Sequence, residues 1–275
     1  MTTQRKVGLV ILTGILLFAV FGRFIAPYSP TEVVGTPYSS QIGLLGLDAL
    51  GRDVWSRVLY GGLGLIVTGV VATAVSYLLA APVGVFMALR GGGAERVMTW
   101  LNDVVLAFPP ILLLLLLATS AGKGVTVVVV AVIIGHFPQV CRLARASASD
   151  VVLSSYVDAS WLRGERTFAI ARRDVWPNVM PTLAADFGTR TASSILLIAG
   201  ATFLGLGETP PSSNWALMVS ENRIGLSIQP LATLAPAVLI GLFIFGVNLA
   251  GDRAARTRRR NTLKRSGVRA DRTKS

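Results

Sequence analysis

The sequence is poor in the residues that build disulfides and metal sites. Among its 275 residues there is one cysteine, Cys141, and one histidine, His136. A single cysteine excludes an intrachain disulfide and a cysteine-based zinc site, and a single histidine excludes a histidine cluster around a metal. No paired carboxylate or nucleophile stands at a recognisable spacing from His136. We therefore interpret it as a helix-end residue and not as a general base.

Charged residues are also scarce. They make up 15% of the chain, against 52% hydrophobic residues and a mean hydropathy of +0.63. Soluble domains carry about a quarter charged residues. A phosphate-binding loop is excluded around Lys123, because Leu117 stands where that motif needs glycine and Gly124 where it needs a hydroxyl. These absences favour a membrane protein without catalytic chemistry of its own.

What the chain does have is long apolar runs. They cover residues 7–22, 62–89, 97–118, 125–138, 182–206 and 231–250. Crossing a bilayer takes about 20 apolar residues as a helix, and a lone strand cannot satisfy its backbone in lipid. We therefore predict an all-α integral membrane protein with six transmembrane helices. The third should be kinked, because Pro109 and Pro110 remove two backbone donors from its middle.

The predicted spans divide the chain into four parts. Residues 1–27 would form an uncleaved N-terminal helix and residues 28–61 an extracytoplasmic connection. A five-helix core would cover residues 62–250, with a polar loop at 139–181, and a basic tail would follow at 251–275.

The distribution of positive charge predicts the orientation. With the N-terminus inside, twenty lysines and arginines fall on inner segments and four on outer ones. Cytoplasmic segments are enriched in these residues, so both termini and the loop at 139–181 should be cytoplasmic. The tail holds ten basic and two acidic residues and no aromatics. We interpret it as a solvated or lipid-facing tail, and not as a nucleic-acid site.

A few charged residues fall inside the predicted spans. Asp186 and Arg190 stand four residues apart, so they share a helix face and can pair. Asp103 lies near the inner end of the third span and Asn248 near the end of the sixth. A proton relay or ion site is the alternative to a neutralised pair. We favour the pair, because no series of acidic residues crosses the midplane.

The polar loop at 139–181 has the pattern of two short helices. Residues 155–163 predict the first, and Gly164 interrupts it. The second would be capped by Thr167 and stopped by Pro177. Its apolar face would consist of Phe168, Ala171 and Val175.

This loop resembles the Glu-Ala-Ala loop of ABC-importer permease subunits. The resemblance implies a short coupling helix that docks in a groove of a cytoplasmic ATPase, with Tyr156, Ala159 and Arg163 exposed on one face. The residues assigned to the coupling loop are Tyr156, Val157, Asp158, Ala159, Ser160, Arg163, Gly164 and Pro177.

Four further motifs, between residues 45 and 253, resemble the dipeptide/oligopeptide/nickel branch of that family, in its second, shorter permease subunit. The matching positions are Gly51, Arg52, Asp53, Asp103, Phe108, Pro109, Gly205, Gly207, Pro211, Asn248, Gly251 and Asp252. The chain also departs from the family pattern. It has Asp158 where the family has Glu, Ser160 where it has Ala, and Asp174 and Trp176 where Ile and Leu are usual. Leu47 replaces a common Thr.

The resemblance implies the type I permease fold, with the coupling loop between helices 4 and 5, in a cell-membrane importer for di- or oligopeptides. This chain would form half of the pathway and bind no cofactor, since ATP and Mg²⁺ would be bound by partner ATPases. The implied partners are a homologous permease, two ATPase subunits and an extracytoplasmic solute-binding protein.

Alternatives remain open at this point. Nickel or another small solute could be the cargo. An ion-coupled secondary transporter would work without ATPases and would be sensitive to neutralising Asp103 or Asp186. A membrane enzyme would need a polar constellation that the sequence does not offer. A scaffold would bind its partner through the loop without moving solute.

Overall fold

The computed structural model describes residues 3–251, and within this range it contains helices and connecting turns but no β-strand. The helices are α1 (Thr3–Phe21), α2 (Val54–Arg90), α3 (Gly92–Ala107), α4 (Pro110–Ala121), α5 (Val125–Val152), α6 (Ser155–Leu162), α7 (Thr167–Ile170), α8 (Trp176–Phe203), α9 (Trp215–Asn222) and α10 (Leu231–Gly251). The predicted all-α class is confirmed. The basic tail and Asp252 lie outside the described residues.

Helix α2 is the longest element, with 37 residues. It begins at Val54, inside the segment predicted as a connection, because Asp53 caps it. The Asp53 carboxylate accepts hydrogen bonds from the Ser56 backbone N–H at 2.8 Å and from the Ser56 hydroxyl at 2.6 Å. At 1.5 Å per residue the helix is roughly 55 Å long, more than a hydrocarbon core of about 30 Å requires.

The third apolar run is broken and not merely kinked. Helices α3 and α4 meet at 88° across Phe108 and Pro109. Pro110 begins α4, where a proline needs no donor, while Pro109 is extended at the N-cap. Two consecutive prolines thus end one helix and start another in a new direction.

The helices enclose two separate apolar cores. One lies where α1 and α10 pack beside the first half of α2 and the second half of α8, around Leu65, Ile195 and Trp215. The other lies where the second half of α2 meets α5, α6 and the start of α8, around Val140, Val157 and Ile170. Helix α5 packs along α2 and contributes to both cores.

Four helical segments in the described range are long and apolar enough to cross a membrane: Lys6–Phe24, Val54–Arg90, Val125–Val152 and Leu231–Gly251. The bent pair α3–α4 is a fifth if it forms one span. Helix α8 has 28 residues, but Asp186, Arg190 and several hydroxyl residues lower its hydropathy. The count of six spans therefore stays a prediction.

Candidate functional site: the loop between helices 5 and 8

The loop joins α5 to α8 and contains α6, a turn at Gly164 and α7. Helix α5 continues to Val152, well beyond its predicted end at residue 138. Gly164 has φ +75°, in the left-handed region that glycine tolerates best. Its backbone N–H donates to the Trp161 carbonyl at 2.9 Å, so the chain reverses directly after α6. The predicted break at Gly164 is thus the turn between the two short helices.

Helix α6 has a buried side and an exposed side. Val157 and Ser160 are buried against the second core. Tyr156 and Arg163 are exposed, while Ala159 is half-buried. Residues three apart share a helix face, which explains why 157 and 160 point inward together.

The exposed surface of the loop is unusually apolar for a connecting segment. Leu162 is 89% exposed, Phe168 is 77% exposed, and Trp161 is also exposed. Clustered exposed apolar side chains mark interaction surfaces. Arg163 and Arg166 stand among them, exposed as well. The surface therefore presents apolar and aromatic groups flanked by positive charge.

The second short helix differs from its prediction. Its N-cap is Arg166, and Thr167 is the first helical residue. The expected apolar face is wrong, because Val175 is buried whereas Phe168 is exposed. A π-helical turn over Ala171–Val175 shifts the helical phase between them.

Pro177 does not stop this helix. It is the second residue of α8, directly after the π turn over Ala171–Val175, and the backbone is helical on both sides of it. The backbone stays helical from Thr167 through the π turn to Phe203, with Pro177 and Pro181 inside this stretch. We call residues 167–203 the rod.

Polar side chains tie α6 to this rod. The Ser160 hydroxyl donates to the Asp174 carboxylate at 3.0 Å and accepts from the Arg163 guanidinium at 2.7 Å. Arg163 also pairs with Glu165 at 2.8 Å. Arg173 lies 3.8 Å from Glu165 and 3.6 Å from Asp174. These five side chains form a closed chain of contacts, which we call the polar ring: Ser160, Arg163, Glu165, Arg173 and Asp174.

A second polar group lies at the opposite end of α2. Arg57 contacts Asp48 at 2.6 Å and Glu221 at 2.7 Å, and Arg52 contacts the same two carboxylates at 2.7 and 2.9 Å. We call Asp48, Arg52, Arg57 and Glu221 the ion cluster. Asp48 and Arg57 are both 0% exposed. Arg52 is 3% and Glu221 13% exposed, so two positive and two negative charges neutralise each other in a largely buried site.

Hydrogen bonds extend this group into the segment before α10. Arg57 donates to the Ser212 carbonyl at 3.1 Å, and the Trp215 indole N–H donates to the Val58 carbonyl at 2.8 Å. Asn222 accepts from the Ala49 backbone N–H at 2.9 Å. The structure therefore joins two family motifs that are far apart in sequence, the one at Gly51–Asp53 and the one around Gly205, Gly207 and Pro211.

Close glycine contacts complete that junction. Gly51 has φ +75° and its backbone lies against Gly35, while Gly205 has φ +75° at the end of α8. Gly61 and Gly62 face the Trp215 ring, and a β-carbon on Gly61 would meet that ring at 2.9 Å. Glu221 and Asn222 carry much of this contact, yet sequence reasoning missed both. Their partners lie more than 160 residues away.

The predicted pair of Asp186 and Arg190 is formed, with a distance of 2.9 Å between Nε and Oδ2. It is part of a larger group, since Tyr77 donates to Asp186 at 2.7 Å and Arg190 donates to Gln139. These four side chains join α2, α5 and α8.

The remaining predicted positions are scattered. Asp103 pairs with Arg142 at 2.6 Å, and both side chains are more than half exposed. Phe108 and Pro109 are exposed at the break between α3 and α4, and Asn248 is exposed on α10. Gly251 closes α10, where a β-carbon would lie 3.8 Å from the Ala185 carbonyl.

His136 is not at a helix end, so that interpretation is wrong. Because α5 continues to Val152, His136 falls in its middle, and it is 4% exposed. Neither ring nitrogen has a hydrogen-bond partner. Cys141, one turn further on, is also buried, with its sulfur 3.6 Å from that of Met87.

Sequence comparison identifies the chain's relatives. The profile of the family described as "Binding-protein-dependent transport system inner membrane component" matches residues 80–260. The profile "N-terminal TM domain of oligopeptide transport permease C" matches residues 6–42. The glutathione transport system permease protein GsiD of Pectobacterium atrosepticum is 30% identical over 89% of this chain and 82% of its own. GsiD of Escherichia coli O157:H7 is 30% identical over 86% and 80%.

Solved structures share the fold. Two inward-facing crystal forms of the MetNI methionine ABC transporter contain a chain that superimposes on this one. The first has a TM-score of 0.56 over 70% of this chain and 92% of its own, and the second has 0.58 over 71% and 94%. Both are 18% identical, so they establish the fold alone.

These relatives are multi-pass inner membrane permeases and not enzymes, and the ATPase activity of such transporters lies in other subunits. With a family match over more than half of its length, and a relative 30% identical across most of both chains, this chain belongs to the binding-protein-dependent transport system inner membrane components, the membrane permease subunits of ABC importers.

Proposed function

We propose that this chain is a permease subunit for di- or oligopeptides, that it forms half of the translocation pathway, and that it couples to an ATPase through the loop between α5 and α8. The observation that carries the coupling is the exposed apolar surface of that loop. Leu162 and Phe168 project from it beside the exposed Arg163. A short helix with this face suits a partner groove.

The base of the loop supports the same proposal. Val157 anchors α6 in the second core, and the rod of residues 167–203 continues from the loop into α8. A force applied to α6 can therefore reach α8 through the core that they share, in addition to the backbone turn at Gly164. Rigid movement of packed helices is a common form of conformational switching.

Peptide cargo is supported by the relatives. The N-terminal match is to an oligopeptide permease domain, and the named relatives transport glutathione, which is itself a tripeptide. Nickel chelates are the alternative cargo.

The assembly follows from the family and the charge distribution. The membrane component of a binding-protein-dependent importer works with ATPase subunits and a solute-binding protein. We propose one homologous permease, two ATPases and one binding protein. Positive charge favours a cytoplasmic loop and cytoplasmic termini.

The first experiment is affinity purification of the full chain from its native membrane in mild detergent. We expect an ATPase and a homologous permease in equal amounts. Cross-linking through a photoreactive residue at Tyr156 should join this chain to the ATPase. Recovery of the chain alone, with no cross-link to an ATPase, would reject the assembly.

Coupling is tested by Gly164→Pro, with Gly164→Asn as matched control. Proline cannot adopt φ +75°, whereas asparagine tolerates it, and a β-carbon at Gly164 has no neighbour within 4 Å. We expect Gly164→Pro, and likewise Ala159→Asp combined with Arg163→Glu, to abolish uptake while the chain still inserts. Gly164→Asn should retain most uptake. The probes are labelled glutathione, labelled trialanine and a nickel–histidine chelate.

The outcomes separate the alternatives. Uptake of nickel alone would reject peptide cargo. Normal uptake in Gly164→Pro would reject the coupling role. Uptake that survives depletion of ATP but is lost on neutralising Asp186 would favour the secondary transporter.

A further inference from the structure

We propose that Ser160 and Asp174 are a matched pair of positioning residues, and that their hydrogen bond latches helix α6 to the rod of residues 167–203 so that both move as one body. The proposal rests on the coupling role of this loop and specifies how that role is carried out. No side chain of the latch needs to touch the ATPase.

The latch spans the only turn between the two bodies. Helix α6 ends at Leu162, the rod begins at Thr167, and Gly164 lies between them. Glycine in a turn gives the backbone freedom to flex. A contact that bypasses this turn is needed if motion of α6 is to reach α8 without loss. The bond from the Ser160 hydroxyl to the Asp174 carboxylate, at 3.0 Å, is such a contact.

Burial makes this hydrogen bond the contact of the polar ring that is best shielded from solvent. Ser160 is 1% exposed and the Asp174 side chain is 12% exposed. Arg163 and Arg173 are 53% and 69% exposed, so their ion pairs are screened by solvent. A hydrogen bond to a charged acceptor is stronger than one between neutral groups, and this one is shielded from water. The arginines hold the ring at neutral charge, and the inner bond sets the geometry.

The chemistry of Ser160 fits its place. A serine hydroxyl has one proton to donate and two lone pairs. Two acceptors lie within reach of that proton, the Asp174 carboxylate at 3.0 Å and the Tyr156 backbone carbonyl at 3.2 Å, and the charged carboxylate is the stronger and nearer one. One lone pair accepts from Arg163 at 2.7 Å. Asp174 is held from its backbone side as well, because the Asn178 amide donates to its carbonyl at 2.7 Å. Both residues are thus held by contacts besides their shared hydrogen bond.

The sequence adds an independent observation. Ser160 and Asp174 are two of the positions at which the loop departs from the family pattern, where alanine and isoleucine are usual. The structure shows that these two departures contact each other. Both departures are from an apolar to a polar residue, so the contact between them is polar here. Changing one member alone leaves an unmatched contact, whereas changing both restores an apolar one.

The mechanical claim is tested by a spin-label distance in the assembled transporter. Labels are attached at Ser155→Cys on α6 and Met180→Cys on α8, both exposed positions, with Cys141→Ala as background. The unaltered pair should give one narrow distance distribution, the same with and without ATP. Ser160→Ala and Asp174→Ile should each broaden it. Ser160→Ala combined with Asp174→Ile should narrow it again, and Asp174→Asn, which keeps an acceptor oxygen, should leave it narrow.

The functional claim is tested by the amount of labelled glutathione or trialanine moved per ATP hydrolysed. We expect each single variant to lower this ratio by about tenfold, the factor for one lost hydrogen bond to a charged group. The double variant should have at least half of the ratio of the unaltered chain. ATP hydrolysis itself should persist in all of them. A merely structural role would lower transport and hydrolysis together.

The two proposals fail in different ways. Two results would overturn the latch even if uptake requires ATP. One is a label-distance distribution in the single variants that is as narrow as in the unaltered chain. The other is a distribution in the double variant that is broader than in either single variant. Failure of any ATPase to copurify would overturn the coupling role, while the label distances, measured in membranes, would still decide whether α6 and α8 form one body.

Discussion

The ion cluster and the polar ring are built from the same kinds of side chain but in different surroundings. Each alternates arginines with carboxylates and joins two separate parts of the chain. In the ion cluster Asp48 and Arg57 are fully buried, whereas in the ring Arg163 is 53% exposed and Glu165 is 21% exposed. Buried charges cannot exchange partners without a large desolvation cost, but exposed charges can.

This difference suits the two ends of a transporter to different tasks. The ion cluster and the Asn222 hydrogen bond join the start of α2 and the segment before it to α9. The ring surrounds the surface that we propose binds a partner, and its exposed outer ion pairs could exchange partners at little cost. Only the inner bond between Ser160 and Asp174 is shielded there.

The largest effect should come from breaking the ion cluster. Arg57→Ala would leave Asp48 and Glu221 short of a positive charge in a buried site, which costs about 3 to 5 kcal/mol. Arg163→Ala in the ring, the matched exposed change, should cost less than about 1 kcal/mol. Thermal unfolding of both variants in detergent measures the difference. Equal losses would show that burial does not separate the two groups.

A smaller effect is expected from crowding the packing beside the ion cluster. Gly62→Ala would push a methyl group into the Trp215 ring, and overpacking of this kind costs about 1 to 3 kcal/mol. Gly200→Ala on α8 is the control, since nothing lies within 4 Å of its added carbon. Alanine is the better helix former, so the control should be neutral or slightly stabilising. Similar unfolding temperatures for both variants would contradict the close contact with Trp215.

The smallest effect should come from the exposed pair of Asp103 and Arg142. Both side chains are more than half exposed, so Asp103→Asn should cost well under about 1 kcal/mol. Uptake of labelled glutathione should stay within about twofold of normal, because an exposed pair of this size contributes little. An ion-coupled transporter that uses Asp103 would instead lose uptake altogether. The same assay thus tests the rival function.

Much of the fold followed from the pattern of residues alone. Apolar runs long enough to cross a bilayer predicted the all-α membrane class. The position of the break at Pro109 and Pro110 was also predicted, whereas its angle of 88° was not. The i, i+4 spacing predicted the pair of Asp186 and Arg190, which is formed. These features depend on residues that are close together in the sequence, so the sequence pattern is enough to predict them.

Errors arose where the helices extended beyond the apolar runs. Helix α5 continues through a polar segment to Val152, which placed His136 in the middle of a helix. Packing against α2 stabilises that polar stretch as helix, and periodicity cannot reveal such a partner. The sequence pattern predicts a helix stop at Pro177, because it does not show that the backbone is helical on both sides of this proline.

The sequence by itself determined that this protein is helical and lies in a membrane, since composition and the length of the apolar runs are properties of the chain alone. Its motifs also resemble those of ABC-importer permeases, the family to which the chain belongs. Only the tertiary structure decided which distant residues meet. Glu221 reaches Arg57 across 164 positions, and Ser160 meets Asp174 across a glycine turn. The reason is physical: buried charges and hydroxyls take whichever partners the packed helices bring within 3 Å, and that packing depends on the whole chain.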